Sequence, residues 1–182
     1  MSGVRRRRTG PVSAGDGPGA APLAAGSSSA PSRLGPLVLA GLAVGGIGVA
    51  GYLTAVHYAP SLLVCSDTGL VNCQAVLTSS YSVVPGTAIP ITVPGIAYFL
   101  LSLLLALAQL RRPANYGLRQ AHAVWGGLGL LSALYLVFVE LLELRNICIW
   151  CTSVHLILLL TCLITVWRLY PQPGPAGRLA PR

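Results

Sequence analysis

Four apolar runs constrain this chain more than any other feature. They lie at about residues 36–58, 93–110, 120–142 and 147–169. Each is long enough to cross hydrocarbon as a helix, which takes about 20 residues. Only 9% of the chain is charged and 54% is hydrophobic, whereas soluble domains carry about 25% charged residues. The expected fold is therefore all-α: an integral membrane four-helix bundle with one long loop, residues 59–92, between its first two spans.

The arginines orient that bundle. There is no lysine, so arginine supplies all the positive charge behind the net +8. Arg5 to Arg8 and Arg33 precede the first span. Arg111, Arg112 and Arg119 join the second to the third, and Arg168, Arg178 and Arg182 lie at or beyond the end of the fourth. Only Arg145 falls on the other side. The positive-inside rule then puts both termini in the cytoplasm of a multi-pass plasma-membrane protein. The charge is topological and does not mark a nucleic-acid-binding surface, so no nucleic acid is expected as a partner.

The flanking segments carry little folding signal. Residues 1–35 and 170–182 are rich in Gly, Pro, Ala, Ser and Arg, and read as disordered cytoplasmic tails around a membrane domain at 36–169. The polar lead is too long for a signal peptide, and the first apolar run exceeds the roughly 7–15 residues of an h-region, so no cleavage is expected. Gly41 and Gly45 make a small-xxx-small pair that permits close helix approach, although glycine is simply common in membrane helices as well. Asn72 is placed to cap a short helix running to Leu77. His57 and Tyr58 read as interfacial rings. Glu140 and Glu143 sit near the far end of the third span.

Chemistry concentrates in four of the five cysteines. Cys148 and Cys151 form a Cys-x-x-Cys pair in the first turn of the last span, and Cys65 and Cys73 occupy the long loop. With both termini inside, both pairs lie on the outer, oxidising side. Three residues apart on a helix, Cys148 and Cys151 share a face. The free N–H groups and positive dipole end of the first turn favour thiolate, the species that exchanges with disulfides. Cys151 lies about 4.5 Å deeper along the axis, at the edge of the hydrocarbon, where a lipid-soluble oxidant can reach it. Spacing alone leaves three readings open. They are a redox relay, two static disulfides in a non-enzymatic tetraspan protein, and a zinc site of four thiolates whose first pair is too widely spaced for the usual motif. Cys162, deep in the span, reads as a small core residue.

The pattern Tyr52-Leu-Thr-x-x-His57-Tyr58, then Cys65-x7-Cys73-x5-Ser79, then Cys148-x-x-Cys151 on the last helix resembles the vitamin K epoxide reductase family. The resemblance implies a four-helix bundle around a quinone, menaquinone or ubiquinone. It implies that Cys65 exchanges disulfides with a thioredoxin-like, DsbA-like partner, that Cys73 relays to Cys148, and that Cys151 faces the quinone. Ser79 would support the loop or the relay by hydrogen bonding. Animal members carry a tyrosine four residues after the last cysteine. His155 stands there, and its imidazole can also donate to a quinone carbonyl. The loop asparagine of animal members has no match near Ile91 and Thr92, which argues against vitamin K epoxide as substrate. Many bacterial members carry a fused thioredoxin-like domain; here the partner is expected to be a separate protein outside the membrane. The expected function is a membrane thiol oxidoreductase that passes electrons from that partner, through both cysteine pairs, to the membrane quinone pool and so supports disulfide formation.

Overall fold

The computed structural model describes residues 33–65 and 68–170. Five α-helices follow one another: α1 (Leu34–Tyr58), α2 (Cys73–Leu77), α3 (Thr92–Arg111), α4 (Tyr116–Phe138) and α5 (Ile149–Trp167). α4 continues through a π-helical turn, Val139–Glu143. Four helices are long and apolar enough to cross a membrane. The chain is thus a multi-pass, all-helical membrane bundle, as the four runs require. The two tails expected to be disordered lie almost wholly outside the described residues.

Helix ends follow local capping more closely than hydropathy. α4 starts at Tyr116, ahead of its apolar run, because the Asn115 side chain accepts a hydrogen bond from the Leu118 N–H at 3.1 Å. α2 forms where expected, with the Asn72 side chain accepting from the Ala75 N–H at 2.8 Å. α5 starts at Ile149, so Cys148 is its N-cap and not a residue of its first turn.

The bundle closes as a ring. α1 packs most broadly on α3, α4 on α5, and the contacts α1–α5 and α3–α4 complete it. Lipid offers no hydrophobic gain between helices, so close packing and hydrogen bonds must hold them. Phe99 of α3 supplies one such contact; it is buried against Gly46 of α1, where any added side chain would collide with its ring. Gly41 and Gly45 have no such neighbour within 4 Å. Gly45 is rotated one residue around the helix from Gly46, so its pair with Gly41 misses the α3 face.

A buried polar cluster fastens one end. Arg168 donates to Gln109 Oε1 at 2.6 Å, and Gln109 Nε2 meets His122 Nδ1 at 2.9 Å. Arginine can only donate, so Gln109 must present its oxygen to Arg168 and its amide N–H to His122. His122 Nδ1 then accepts, and the ring proton sits on Nε2. Gly35 of α1 lies against the Arg168 side chain. The start of α1 and the end of α5 therefore meet, at the end of the bundle away from the Cys-x-x-Cys pair.

Candidate active site

The turn before α5 prepares the pair. Leu144 N–H bonds to Val139 O at 2.9 Å and Asn146 N–H to Glu140 O at 3.1 Å, closing the π-helical end of the preceding span. Arg145 turns the chain with a positive φ of 50°. Cys148 then caps α5 with its own sulfur, its Sγ accepting from the Cys151 N–H at 3.3 Å. A hydrogen bond from the Cys151 thiol, helped by that N–H, holds Cys148 below the usual thiol range although burial opposes it. Cys148 is 0% exposed, whereas Cys151 is half-buried. Both are free thiols.

Cys65 and Cys73 are joined as a disulfide. The segment before Cys73 is stitched to the segment before Cys148: Ile147 N–H donates to Leu70 O at 2.8 Å and Asn72 N–H to Ile147 O at 3.1 Å. This parallel pairing of Val71 with Ile147 brings the two helix starts side by side. Cys73 and Cys148 are both fully buried in one cluster, with Cys65 and Cys151 packed on it. The segment entering Cys65 is also pinned. Trp150 Nε1 donates to Val64 O at 2.9 Å, the Tyr52 hydroxyl donates to Leu62 O at 3.1 Å, and that same hydroxyl accepts from the Val64 N–H at 2.8 Å. The Tyr52 and Trp150 rings pack 4.7 Å apart between their centroids.

Ser79 follows α2 and donates to Val76 O at 2.8 Å, fixing the way out of the short helix. It borders a small void of about 60 Å³ that also touches His57, Glu140, Cys151 and His155. A second cavity, of about 770 Å³, shares Cys151 and His155 with that void and is walled by all four spans and the loop. Its size falls within the range of small-molecule sites. Cys151 and His155 lie at its edge, among mostly apolar walls from Leu53, Phe99, Val154 and Leu158. The Tyr98 ring contributes to the same wall, with its hydroxyl buried against Gly129 of α4. A flat ring bearing two carbonyl acceptors fits such a site. Its faces would meet apolar side chains, His155 would offer a donor, and Cys151 would lie beside it.

The structure thus gathers Cys65, Cys73, Cys148, Cys151, Ser79 and His155 at one end of the bundle. Its arrangement, four helical spans with paired cysteines beside an apolar cavity, is that of a membrane oxidoreductase. The chain belongs to the vitamin K epoxide reductase family, whose model matches residues 37–166. Members of that family use quinones and typically work with thioredoxin-like partners. A comparison with curated proteins finds no significant match.

Three residues at this site escape sequence reasoning. Trp150 and Tyr52 anchor the loop, yet an aromatic ring at a membrane interface looks the same whether or not it grips a carbonyl. Glu140 is different, because a carboxyl group inside an apolar run is itself a signal of function. It is 6% exposed, beside both cysteines of the helix pair.

Proposed function

We propose that this protein is a quinone-linked thiol oxidase. It takes electrons from a separate thioredoxin-fold thiol oxidase outside the membrane and thereby supports disulfide formation. One observation carries the reading: the pairing of Val71 with Ile147 packs Cys73 against Cys148, while Cys151 opens on the large cavity. The arginine distribution supports a membrane domain at 36–169 with the cysteine end outward and tails 1–35 and 170–182 in the cytoplasm.

The exchange runs through named sulfurs. A partner thiolate attacks Cys65 Sγ, the Cys65–Cys73 bond breaks, and Cys73 leaves as a thiolate. The partner's second thiol resolves the mixed disulfide, so the partner leaves oxidised and Cys65 becomes a thiol. Cys73 then attacks Cys148 Sγ of an oxidised Cys148–Cys151 pair and releases Cys151. Cys65 closes on Cys73 and releases Cys148. The outcome is an oxidised loop pair and a reduced helix pair, the arrangement in this structure. A quinone, when bound, supplies a two-electron, two-proton acceptor beside Cys151. His155 would orient its carbonyl by hydrogen bonding, and Ser79 holds the end of α2 so that Cys73 keeps its place beside Cys148.

The test uses purified protein in proteoliposomes containing a short-chain ubiquinone, with a reduced thioredoxin-fold thiol oxidase added. Quinone absorbance should fall as the partner is oxidised, and Cys148→Ser or Cys151→Ser should each abolish the change. An undiminished rate in both variants ends the proposal and leaves two structural cysteine pairs.

A further inference from the structure

Glu140 has no part in the exchange just described, yet its carboxyl group is buried within a span. A carboxyl group within a membrane span is expensive, and such residues mark functional paths. Here it is 6% exposed, in the π-helical turn Val139–Glu143. Such turns insert an extra residue into a helix and recur at functional sites. The carboxyl group interacts with the Cys148 backbone and with the Cys151 thiol. It also borders the small void shared with Cys151 and His155.

The thiol chemistry leaves a proton that needs an acceptor. Cys148 favours the thiolate, because Cys151 donates to it. Cys151 is then the member that still holds a proton. Closing the disulfide from Cys148–S⁻ and Cys151–SH forms one S–S bond and releases two electrons and one proton. The electrons leave to the quinone. The proton is on Cys151 Sγ, and Glu140 lines the same small void as that thiol.

We propose that Glu140 is the catalytic base that takes the Cys151 proton as the helix pair is oxidised. The S–H bond of Cys151 breaks, an O–H bond forms on Glu140, and the Cys148–Cys151 bond closes as the electron pair departs. The proton then leaves Glu140 past His155 toward the cavity, where a bound quinone would take it up together with a second proton from water. The titratable groups facing Glu140 are Cys148, Cys151 and His155 of α5, His57 of α1 and Tyr81 of the loop. Glu143 and Arg145, its sequence neighbours, are exposed.

This inference rests on the quinone-linked reading, and two measurements separate their failures. The first needs no quinone. The reduced helix pair is oxidised with a small soluble disulfide, and the infrared difference spectrum is recorded. A protonated-carboxyl band should appear on oxidation, shift with isotope-labelled glutamate and vanish in Glu140→Gln. The chain has only two glutamates, Glu140 and Glu143, so the label in the unaltered protein identifies the carrier even if the variant folds poorly. Absence of a glutamate band overturns the proposal.

The second measurement is kinetic. Glu140→Gln should slow quinone reduction about 100-fold, within the usual range for a lost general base. It should flatten the pH dependence of that step while the partner still reduces Cys65–Cys73 at the normal rate. Glu140→Asp should restore part of the rate. A wild-type rate in Glu140→Gln overturns the role of Glu140. A wild-type protein that reduces no quinone, yet shows the infrared band, overturns the function and leaves the proton transfer standing.

Discussion

The two cysteine pairs are built on the same plan and finished differently. One cysteine of each pair stands at a helix start entered through a residue with positive φ: Gly69 at 59° before α2, and Arg145 at 50° before α5. Each helix start is capped by a side chain. In α2 the cap is the Asn72 oxygen, which leaves Cys73 free to bond with Cys65. In α5 the cap is the Cys148 sulfur itself. A shift of one residue thus decides the chemistry. Cys148, which caps its helix and accepts from the Cys151 thiol, is drawn toward the thiolate, whereas Cys73, one position inside its helix, is joined to Cys65. The pairs then meet because backbone pairing aligns Val71 with Ile147, two residues ahead of buried Cys73 and one ahead of buried Cys148.

That alignment gives the largest expected effect. Ile147→Pro removes the N–H that donates to Leu70 O, and proline also restrains Asn146. In a Cys65→Ala, Cys151→Ala background, Cys73 and Cys148 should join readily under mild oxidant. Adding Ile147→Pro should slow that joining by about 100-fold, which corresponds to about 2.7 kcal/mol of lost positioning. Equal rates would mean that the pairs meet without the bridge and that the parallel between them is incidental.

The next effect concerns charge. A lowered pKa means that the Cys148 thiolate persists at pH values where an ordinary thiol is already protonated. Its alkylation should therefore stay fast as pH falls and drop only below the lowered value. Cys151→Ala removes the thiol donor, the largest cause of the lowering, but keeps the backbone N–H. The midpoint should move up, and alkylation of Cys148 at a pH below that midpoint should slow by about tenfold for each pKa unit moved. Mass spectrometry of the alkylated peptides distinguishes Cys148 from Cys162. An unmoved midpoint would assign the thiolate to the helix cap alone.

Much of this was legible in the sequence, for a physical reason. Lipid demands long apolar helices, so the four spans and their order could be read directly. The Asn72 cap and the two cysteine pairs are local patterns. What could not be read is long-range. The Val71–Ile147 pairing involves no distinctive side chain. The grip of Trp150 on Val64 O links positions 86 residues apart. The Gln109–His122–Arg168 cluster unites three helices whose mutual rotation no periodicity reveals. Helix rotation also decided that Gly46, and not the Gly41–Gly45 pair, meets Phe99.

A smaller effect tests the caps. Asn72→Ala removes the acceptor for the Ala75 N–H and should cost about 1 kcal/mol, within the usual range for a lost N-cap. The loss should appear as faster hydrogen exchange confined to α2, with α5 unaffected because Cys148 caps it independently. Faster exchange in both helices would show that the Val71–Ile147 bridge couples the two starts.

The smallest effect comes from the two left-handed residues, and it separates the plans most directly. Gly69 carries no Cβ penalty at φ 59°, whereas Arg145 at φ 50° does. An L-residue there is disfavoured by roughly 1–2 kcal/mol. Arg145→Gly relieves that cost but adds freedom to the unfolded chain, which takes back about 0.5–1 kcal/mol. A net gain of about 0.5 kcal/mol is expected, seen as a slightly higher melting temperature. Gly69→Ala should shift stability the other way, by about 0.5–1 kcal/mol, because the backbone penalty outweighs the freedom that alanine removes from the unfolded chain. Opposite signs for the two substitutions would show that the turn into α5 retains strain that the turn into α2 avoids. If Arg145→Gly is instead destabilising, the arginine side chain contributes more at that turn than its backbone costs.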